Sequence, residues 1–444
     1  IELMRPAPHQ TTIADEKEVA KQYRYWRFRT FYAMYFGYVF YYFSRKSFTC
    51  IMPALIDQGF DMLSLGMIGS CLSIMYGISK FLSGIIGDKS NPRYFMALGL
   101  ILTGCCNIFF GLSSSVLFFA VFWGLNGWFQ GWGWPGCAKL LTHWYSQKER
   151  GRWWSFWNTS HNLGGALIPF IIGFLARYMD WRYCMMAPGI VCILGGLFLM
   201  NRLRDTPQSL GLPPIEAFHQ EEKAASSKET SELSVNAILF RFVLRNPYVW
   251  LLAISNFFVY IIRTAVNDWS FLFYYQHSQS NPYFFASVCA ASFEIGGLFG
   301  SLAAGFLSDK LFLGKRNPVN VLYLLGVFFV TTMMWRFSHV SPILNAFSMF
   351  SVGFFIFGPQ MLIGMAAAEL SHKQAAATAS GFTGCLGYLG AACAGLPLGQ
   401  VITLWGWPGY FSVLASSSIL ASCILLPLWH RKKHLDQDAL DALA

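Results

Sequence analysis

Charge is what this sequence has least of. Only 12% of its 444 residues are Asp, Glu, Lys or Arg, against 55% hydrophobic. That deficit excludes an ordinary soluble protein of two or three domains, in which roughly a quarter of the residues are charged. Acids are scarcer than bases, 22 against 32. The 11 cysteines, among them Cys50, Cys71, Cys105, Cys106 and Cys289, form no CxxC pairs and lack the spacing of a secreted disulfide framework. They read as small core residues, and no metal or cofactor is expected. No nucleophile and base stand at catalytic spacing, which argues against an enzyme. The first 27 residues are polar and carry several charges, without the early apolar segment of a cleaved signal, so the first apolar segment is expected to be retained.

Long apolar runs are abundant instead. A hydrocarbon core about 30 Å thick takes roughly 20 residues of helix to cross. Runs of that length predict twelve membrane helices, at 28–55, 63–87, 94–112, 116–142, 153–177, 183–200, 248–274, 283–307, 319–337, 342–366, 375–402 and 409–429. The expected fold class is an all-α membrane protein embedded in the lipid bilayer. About 23 of the Lys and Arg residues fall in segments on the same side as the N-terminus, and about three (Arg177, Arg182 and Arg336) on the other. The positive-inside rule then places both termini in the cytoplasm. A formal charge of +10 is explained by topology and calls for no nucleic acid.

The chain divides in the middle. A cytoplasmic N-terminal segment, 1–27, leads into six helices over 28–200. A central linker over 201–247 loses hydrophobicity and collects Pro213, Pro214, Ser226, Ser227 and a run of Glu and Lys; six more helices follow over 248–429, then a tail over 430–444. One loop signature occurs in both halves: Gly84, Asp88, Lys89 and Arg93 after helix two, and Gly305, Asp309, Lys310 and Lys315 after helix eight. Glycine permits close helix approach, and the Asp can cap the next helix or pair with its basic neighbours. Two such copies at matching loops of a six-plus-six chain resemble the major facilitator superfamily. That resemblance implies two pseudo-symmetric six-helix bundles related by an axis along the membrane normal.

Basic residues inside the apolar segments are the informative ones. Arg45 and Lys46 lie in helix one, Lys80 in helix two, Lys139 in helix four and Arg263 in helix seven, while Arg29 sits at an edge. A charge at mid-membrane costs roughly 2.5 to 3.5 kcal/mol on insertion, so such residues face protein or water and usually serve function. Embedded acids are fewer: Asp268, Glu294 and, near a helix end, Glu369. A net positive interior wants a negative ligand. Arg45 and Arg263 fall in the first helix of each half, within about one helical turn of the internal repeat. Arginine's planar fork suits paired phosphate oxygens at any physiological pH, and two opposed forks make a phosphate clamp.

Helical spacing supplies a lining. Tyr38, Tyr42 and Arg45 share one face of helix one, and Tyr260, Arg263 and Asn267 one face of helix seven. Lys46 points about 100° away from Arg45, which gives it a secondary role. Lys80, one turn after Tyr76, either faces the cavity or snorkels to an interface; Lys139, nearer an end, snorkels or pairs structurally. Asn158, His161, Asn162 and Gly165 form a stripe on helix five, in which His161 is a ligand contact or a packing hydrogen bond. Asp268 and Glu294 pair with Arg263 or Lys80 when no ligand is present, or couple to protons. Gly131, Gly133 and Gly136 match a dinucleotide-binding pattern but follow no strand, so close helix packing explains them.

The segments YYFSRKSF (41–48), YGISKF (76–81), WNTSHNLGG (157–165), YIIRTAVNDW (260–269) and FGPQMLIGMAAAE (357–369) resemble the organophosphate and inorganic phosphate antiporter family. Within it the chain is most similar to the bacterial hexose-phosphate uptake and sensing group. The resemblance implies that Arg45 and Arg263 are a phosphate-binding pair, with Lys46, Lys80 and His161 around them and Tyr388 in the pore. It implies that Asp268 and Glu294 exchange ion pairs with this cluster. One departure stands out: where some hexose-phosphate carriers have an acid and a lysine in helix eleven, this chain has Ser380 and Thr383. The implied activity is uptake of hexose phosphate, such as glucose 6-phosphate, in exchange for inorganic phosphate, by a monomer in the bacterial inner membrane. The alternative is a receptor for the same ligand that signals to a sensor kinase.

Overall fold

The computed structural model describes residues 4–11, 13, 15–88, 90–218, 243–278, 281–371 and 376–430. Its elements are helical. In the first half they are α1 (Glu16–Asp57), α2 (Met62–Asp88), α3 (Pro92–Leu112), α4 (Val116–Gln130), α5 (Gly133–Trp144), α6 (Gln147–Leu175) and α7 (Trp181–Arg202). A four-residue turn of helix, α8 (Ile215–Phe218), follows. The second half contains α9 (Pro247–His277), α10 (Pro282–Phe306), α11 (Asn317–Phe337), α12 (Pro342–Glu369), α13 (Ala376–Cys393) and α14 (Leu396–Leu425).

Eight candidate spans among the described residues are long and apolar enough to cross a membrane. The helices that fall short do so for visible reasons. α1 and α6 carry polar and charged residues through much of their length. α4 and α5 have 15 and 12 residues and continue one another across a break at Gly131 and Trp132. A break inside lipid frees carbonyls that must find donors. Here Ser79 Oγ donates to Trp128 O at 2.5 Å and Ser83 Oγ to Gly131 O at 2.8 Å, while Gln130 Nε2 donates to Tyr41 O at 2.9 Å. A Cβ at Gly131 would lie 2.4 Å from Ser79 Oγ of α2, one at Gly133 3.0 Å from the Tyr41 ring of α1 and one at Gly136 3.1 Å from Met96 Cβ of α3, so the glycine cluster serves close packing against three helices. Near the far end, α14 contains Gly406 at φ 65 and ψ −161, a non-helical hinge that separates its first part from the last span.

Contacts divide the chain into two compact units. The first comprises 1–48, 75–168 and 179–232. The second comprises 49–74, 169–178 and 233–444. Its boundaries cut through α1, α2 and α6, whose remaining ends belong with the second half. Within the second unit Ser70 Oγ donates to Ala392 O at 2.6 Å and accepts from Leu396 N at 2.7 Å, filling the gap between α13 and α14. Ser287 Oγ likewise donates to Pro169 O at 2.9 Å. α10 and α12 pack backbone to backbone: a Cβ at Gly300 would lie 1.9 Å from Phe354 O.

Polar pairs hold the ends of the helices. In the first unit Ser146 and Glu149 form a capping box at the start of α6, with Ser146 N donating to Glu149 Oε1 at 3.3 Å. The same carboxylate pairs with Arg27 of α1, whose guanidinium lies 4.7 Å above the Tyr145 ring. Burial pushes the Glu149 carboxyl up, but the Arg27 hydrogen bond and charge outweigh it and hold the group below its ordinary 4.5. A depressed carboxyl stabilises the fold above its ordinary value and loses that contribution as pH falls through the folded value. The melting temperature of Glu149→Gln in detergent is therefore expected to lie below wild type at pH 7, with the gap closing below pH 4.5; a constant gap would assign the loss to packing.

Candidate functional site

The first unit builds its cluster on α1. Arg45 lies with Cζ 4.4 Å from the centroid of the Tyr76 ring of α2 and 5.6 Å from that of Tyr42, one turn back on its own helix. Stacking on two aromatic faces suits a guanidinium because it is weakly hydrated and the ring face is negative. Tyr42 also neighbours His161 of α6, the ring centroids being 5.5 Å apart. Tyr38 lies 5.8 Å from Tyr42 and 4.8 Å from Trp157. Arg45, Tyr76, Tyr42, Tyr38 and His161 are thus one group drawn from three helices. Lys80 lies over the Trp134 ring at 5.7 Å, and Asn162 and Lys46 are buried.

Two devices set this arrangement. A Cβ at Gly164 would meet Val39 O at 2.7 Å and Tyr42 Cβ at 2.8 Å, so only glycine lets α6 come close enough to α1 to bring His161 to Tyr42. The sequence stripe on this helix ends on Gly165, whereas the residue in contact is its neighbour. The second device is a buried polar network on the other side of α1. Ser44 Oγ donates to Asn107 Oδ1 at 2.8 Å, and Asn107 Nδ2 donates to Ser47 Oγ at 3.0 Å. Asn126 Nδ2 reaches Ser44 Oγ at 2.9 Å and Asn107 Oδ1 at 2.7 Å. All four residues are fully buried. Because they flank Arg45 and Lys46 in sequence, the network fixes the rotation of α1 about its axis. Sequence spacing did not single out these residues; two serines three apart beside a charge, with asparagines in neighbouring apolar helices, are the available signal.

The second unit carries its own cluster. Arg263 of α9 lies with Cζ 5.0 Å from the Phe357 ring of α12. That ring also packs on α10, where a Cβ at Gly297 would come within 2.7 Å of it. Tyr260 and Tyr388 meet edge to face at 5.3 Å. Asn267 Nδ2 donates to Asp268 Oδ1 at 2.6 Å, and Glu294 is buried one turn before Gly297. Phe357 is the platform the spacing argument missed, since nothing in the α12 sequence marks which of its phenylalanines faces α9.

The repeated loop signature is resolved differently in its two copies. Lys89 lies outside the described residues, as do the surroundings of Gly84 and the side chain of Asp88. α3 is capped by Asn91, whose Oδ1 accepts from Arg93 N at 3.1 Å, and Arg93 Nε donates to Met200 O at 2.6 Å. In the second copy, after Gly305 and beside Lys310, Asp309 accepts from Arg316, the residue after Lys315, at 2.5 Å. Arg316 also forks onto Glu369, at 3.2 and 3.4 Å. Burial disfavours the Arg316 charge, but Glu369 and Asp309 together raise its pKa above the ordinary value. Glu369 is thus a structural partner at the end of α12. Lys139 belongs to the same class: it donates to Ser90 O at 2.6 Å and lies 3.9 Å from Asp205.

A helical chain suited to lipid, with an arginine resting on an aromatic ring in each half, is by class a polytopic membrane protein. The Major Facilitator Superfamily model matches residues 34–395, and the chain belongs to that superfamily. Its twelve spans are α1, α2, α3, α4 with α5, α6, α7, α9, α10, α11, α12, α13 with the start of α14, and the remainder of α14. A probable hexose phosphate transport protein of Chlamydia pneumoniae is 56% identical to it over 96% of each chain. The membrane sensor protein UhpC of Escherichia coli K12 is 46% identical, covering 94% of this chain and 95% of that one. A hexose-6-phosphate:phosphate antiporter of Salmonella typhimurium is 33% identical over 89% of each.

If Gly164 sets the distance between α1 and α6, Gly164→Val should cost about 1–3 kcal/mol of stability. It should also weaken phosphate binding measured by calorimetry on the folded fraction, because His161 moves off Tyr42. Unchanged binding would detach the α6 stripe from the ligand.

Proposed function

We propose that the protein takes up hexose phosphate, glucose 6-phosphate being the reference substrate, in exchange for inorganic phosphate. The observation that carries this reading is the pairing of one guanidinium with an aromatic platform in each half, Arg45 on Tyr76 and Arg263 on Phe357, at near-equivalent positions of the internal repeat. In this reading the two arginines hold the phosphate, and Lys46, Lys80 and His161 add charge or hydrogen bonds. Tyr38, Tyr42, Tyr76, Asn162, Tyr260, Asn267 and Tyr388 line the path. Asp268 and Glu294 receive the cations' ion pairs when the anion leaves. The chain lies in a bacterial inner membrane with both termini cytoplasmic and works as a monomer.

Obligatory exchange has an electrostatic reason. Any two guanidinium charges brought to about 10 Å from one another would repel by about 1.7 kcal/mol at an effective dielectric of 20, and desolvation would add to this. Passage without an anion is therefore slow, and a bound phosphate removes the barrier. Alternation of access also requires the ties of Ser70 to Ala392 and Leu396 to release and reform.

The 46% identity with a membrane sensor protein favours a second reading. There the same ligand shifts the balance between two states and a partner kinase reads the shift. Differential affinity suffices and no turnover is needed.

Reconstitution separates the two. Radiolabelled glucose 6-phosphate should enter proteoliposomes only when they are loaded with phosphate, and Arg45→Lys or Arg263→Lys should lower uptake at least about a hundredfold, since lysine cannot fork onto two oxygens. Equal uptake into empty vesicles would sink the exchange mechanism, and binding without uptake would favour the receptor.

A further inference from the structure

The Arg263 cluster continues along α9, α12 and α13 as a wall of neutral hydrogen-bonding groups. On α9, Asn256 and Tyr260 precede Arg263 at helical spacing and so share its face. On α12, Phe357, Gln360 and Gly364 likewise share one face. Phe357 at the head of that stripe meets Arg263 of α9. Gly364 at its foot looks onto α13, where an added Cβ would lie 3.4 Å from Ser380 Oγ. Gln360 therefore lies between Arg263 on one side and Ser380 on the other.

Two acceptors on this wall are buried and lack a donor. Gln360 Oε1 has no hydrogen-bond partner. Asn256 donates through Nδ2 to Thr383 O at 2.8 Å, which leaves its buried Oδ1 unpaired as well. The helix-eleven hydroxyl does not serve them, since Thr383 Oγ1 donates to Ser380 O of its own helix. Buried carbonyl oxygens in native proteins are nearly always satisfied, so two orphans on the helix faces that carry Arg263 and its Phe357 platform call for a donor from outside the chain. A phosphate dianion offers none. A sugar ring offers several hydroxyl donors within about two helical turns of its phosphate.

Resting on the reading of the chain as a hexose-phosphate protein, we propose that Gln360, with Asn256, is its sugar-recognising element. The phosphate is held by arginine, and the ring hydroxyls donate to these two amide oxygens. They set specificity for a polyhydroxylated phosphate ester over bare phosphate.

Binding to the purified full chain in detergent tests this whether the protein transports or senses. Isothermal calorimetry with glucose 6-phosphate and with inorganic phosphate is run on wild type, Gln360→Met and Asn256→Asp. Gln360→Met should weaken glucose 6-phosphate about tenfold more than phosphate. Asn256→Asp, which retains an acceptor, should spare more of the preference than Asn256→Leu. Because Gln360→Met removes an unpaired buried acceptor, the melting temperature without ligand should hold or rise. A monodeoxy glucose 6-phosphate lacking the recognised hydroxyl should bind wild type and Gln360→Met alike. Equal weakening of both ligands, no change in either, or a melting temperature lowered by several degrees together with parallel losses would overturn the assignment. Wild type that binds phosphate but no sugar phosphate would sink the hexose-phosphate reading itself, and this inference with it.

Discussion

A guanidinium in the interior of a membrane protein must be given something to lie against. Water is scarce there, and hydrocarbon alone repels it. This chain answers with aromatic faces: Tyr76 and Tyr42 for Arg45, Phe357 for Arg263. An aromatic face steadies the cation through the ring's negative quadrupole. Much of the surrounding packing serves those platforms. Gly164 brings α6 to Tyr42, Gly297 seats the Phe357 ring, and the Ser44, Asn107 and Asn126 network holds α1 at the right rotation.

The structural ion pairs follow the opposite logic. Arg27 with Glu149, and Arg316 with Asp309 and Glu369, lie at helix ends. There the charges neutralise one another and pin elements in place. Arg27 and Arg316 at the ends take carboxylates, while Arg45 and Arg263 in the interior lie over rings.

Much of this could be read from the chain before folding was considered. The internal repeat, the topology and the candidacy of Arg45 and Arg263 follow from periodicity and from the cost of charge in lipid, both of which act locally. Tyr42 was legible as a partner of Arg45 because it lies one turn away on the same helix. Phe357 was not, since contact between α9 and α12 depends on how the second unit packs. Arg316 was passed over for the adjacent Lys315 because spacing alone cannot tell which of two neighbouring cations folds back onto Asp309. The break between α4 and α5 was hidden for a related reason: an apolar run looks continuous until Ser79 and Ser83 are seen capturing its freed carbonyls.

By itself the sequence determined that this is a twelve-span helical membrane protein with basic residues embedded in its apolar segments, because hydropathy and embedded charge are properties of single segments. Tertiary structure alone decided which rings carry the arginines, which acids are structural, and that Gln360 and Asn256 are left with unpaired acceptors. Those are relations between helices far apart in sequence. They exist only once glycines and buried amides have fixed how closely, and at what rotation, the helices meet.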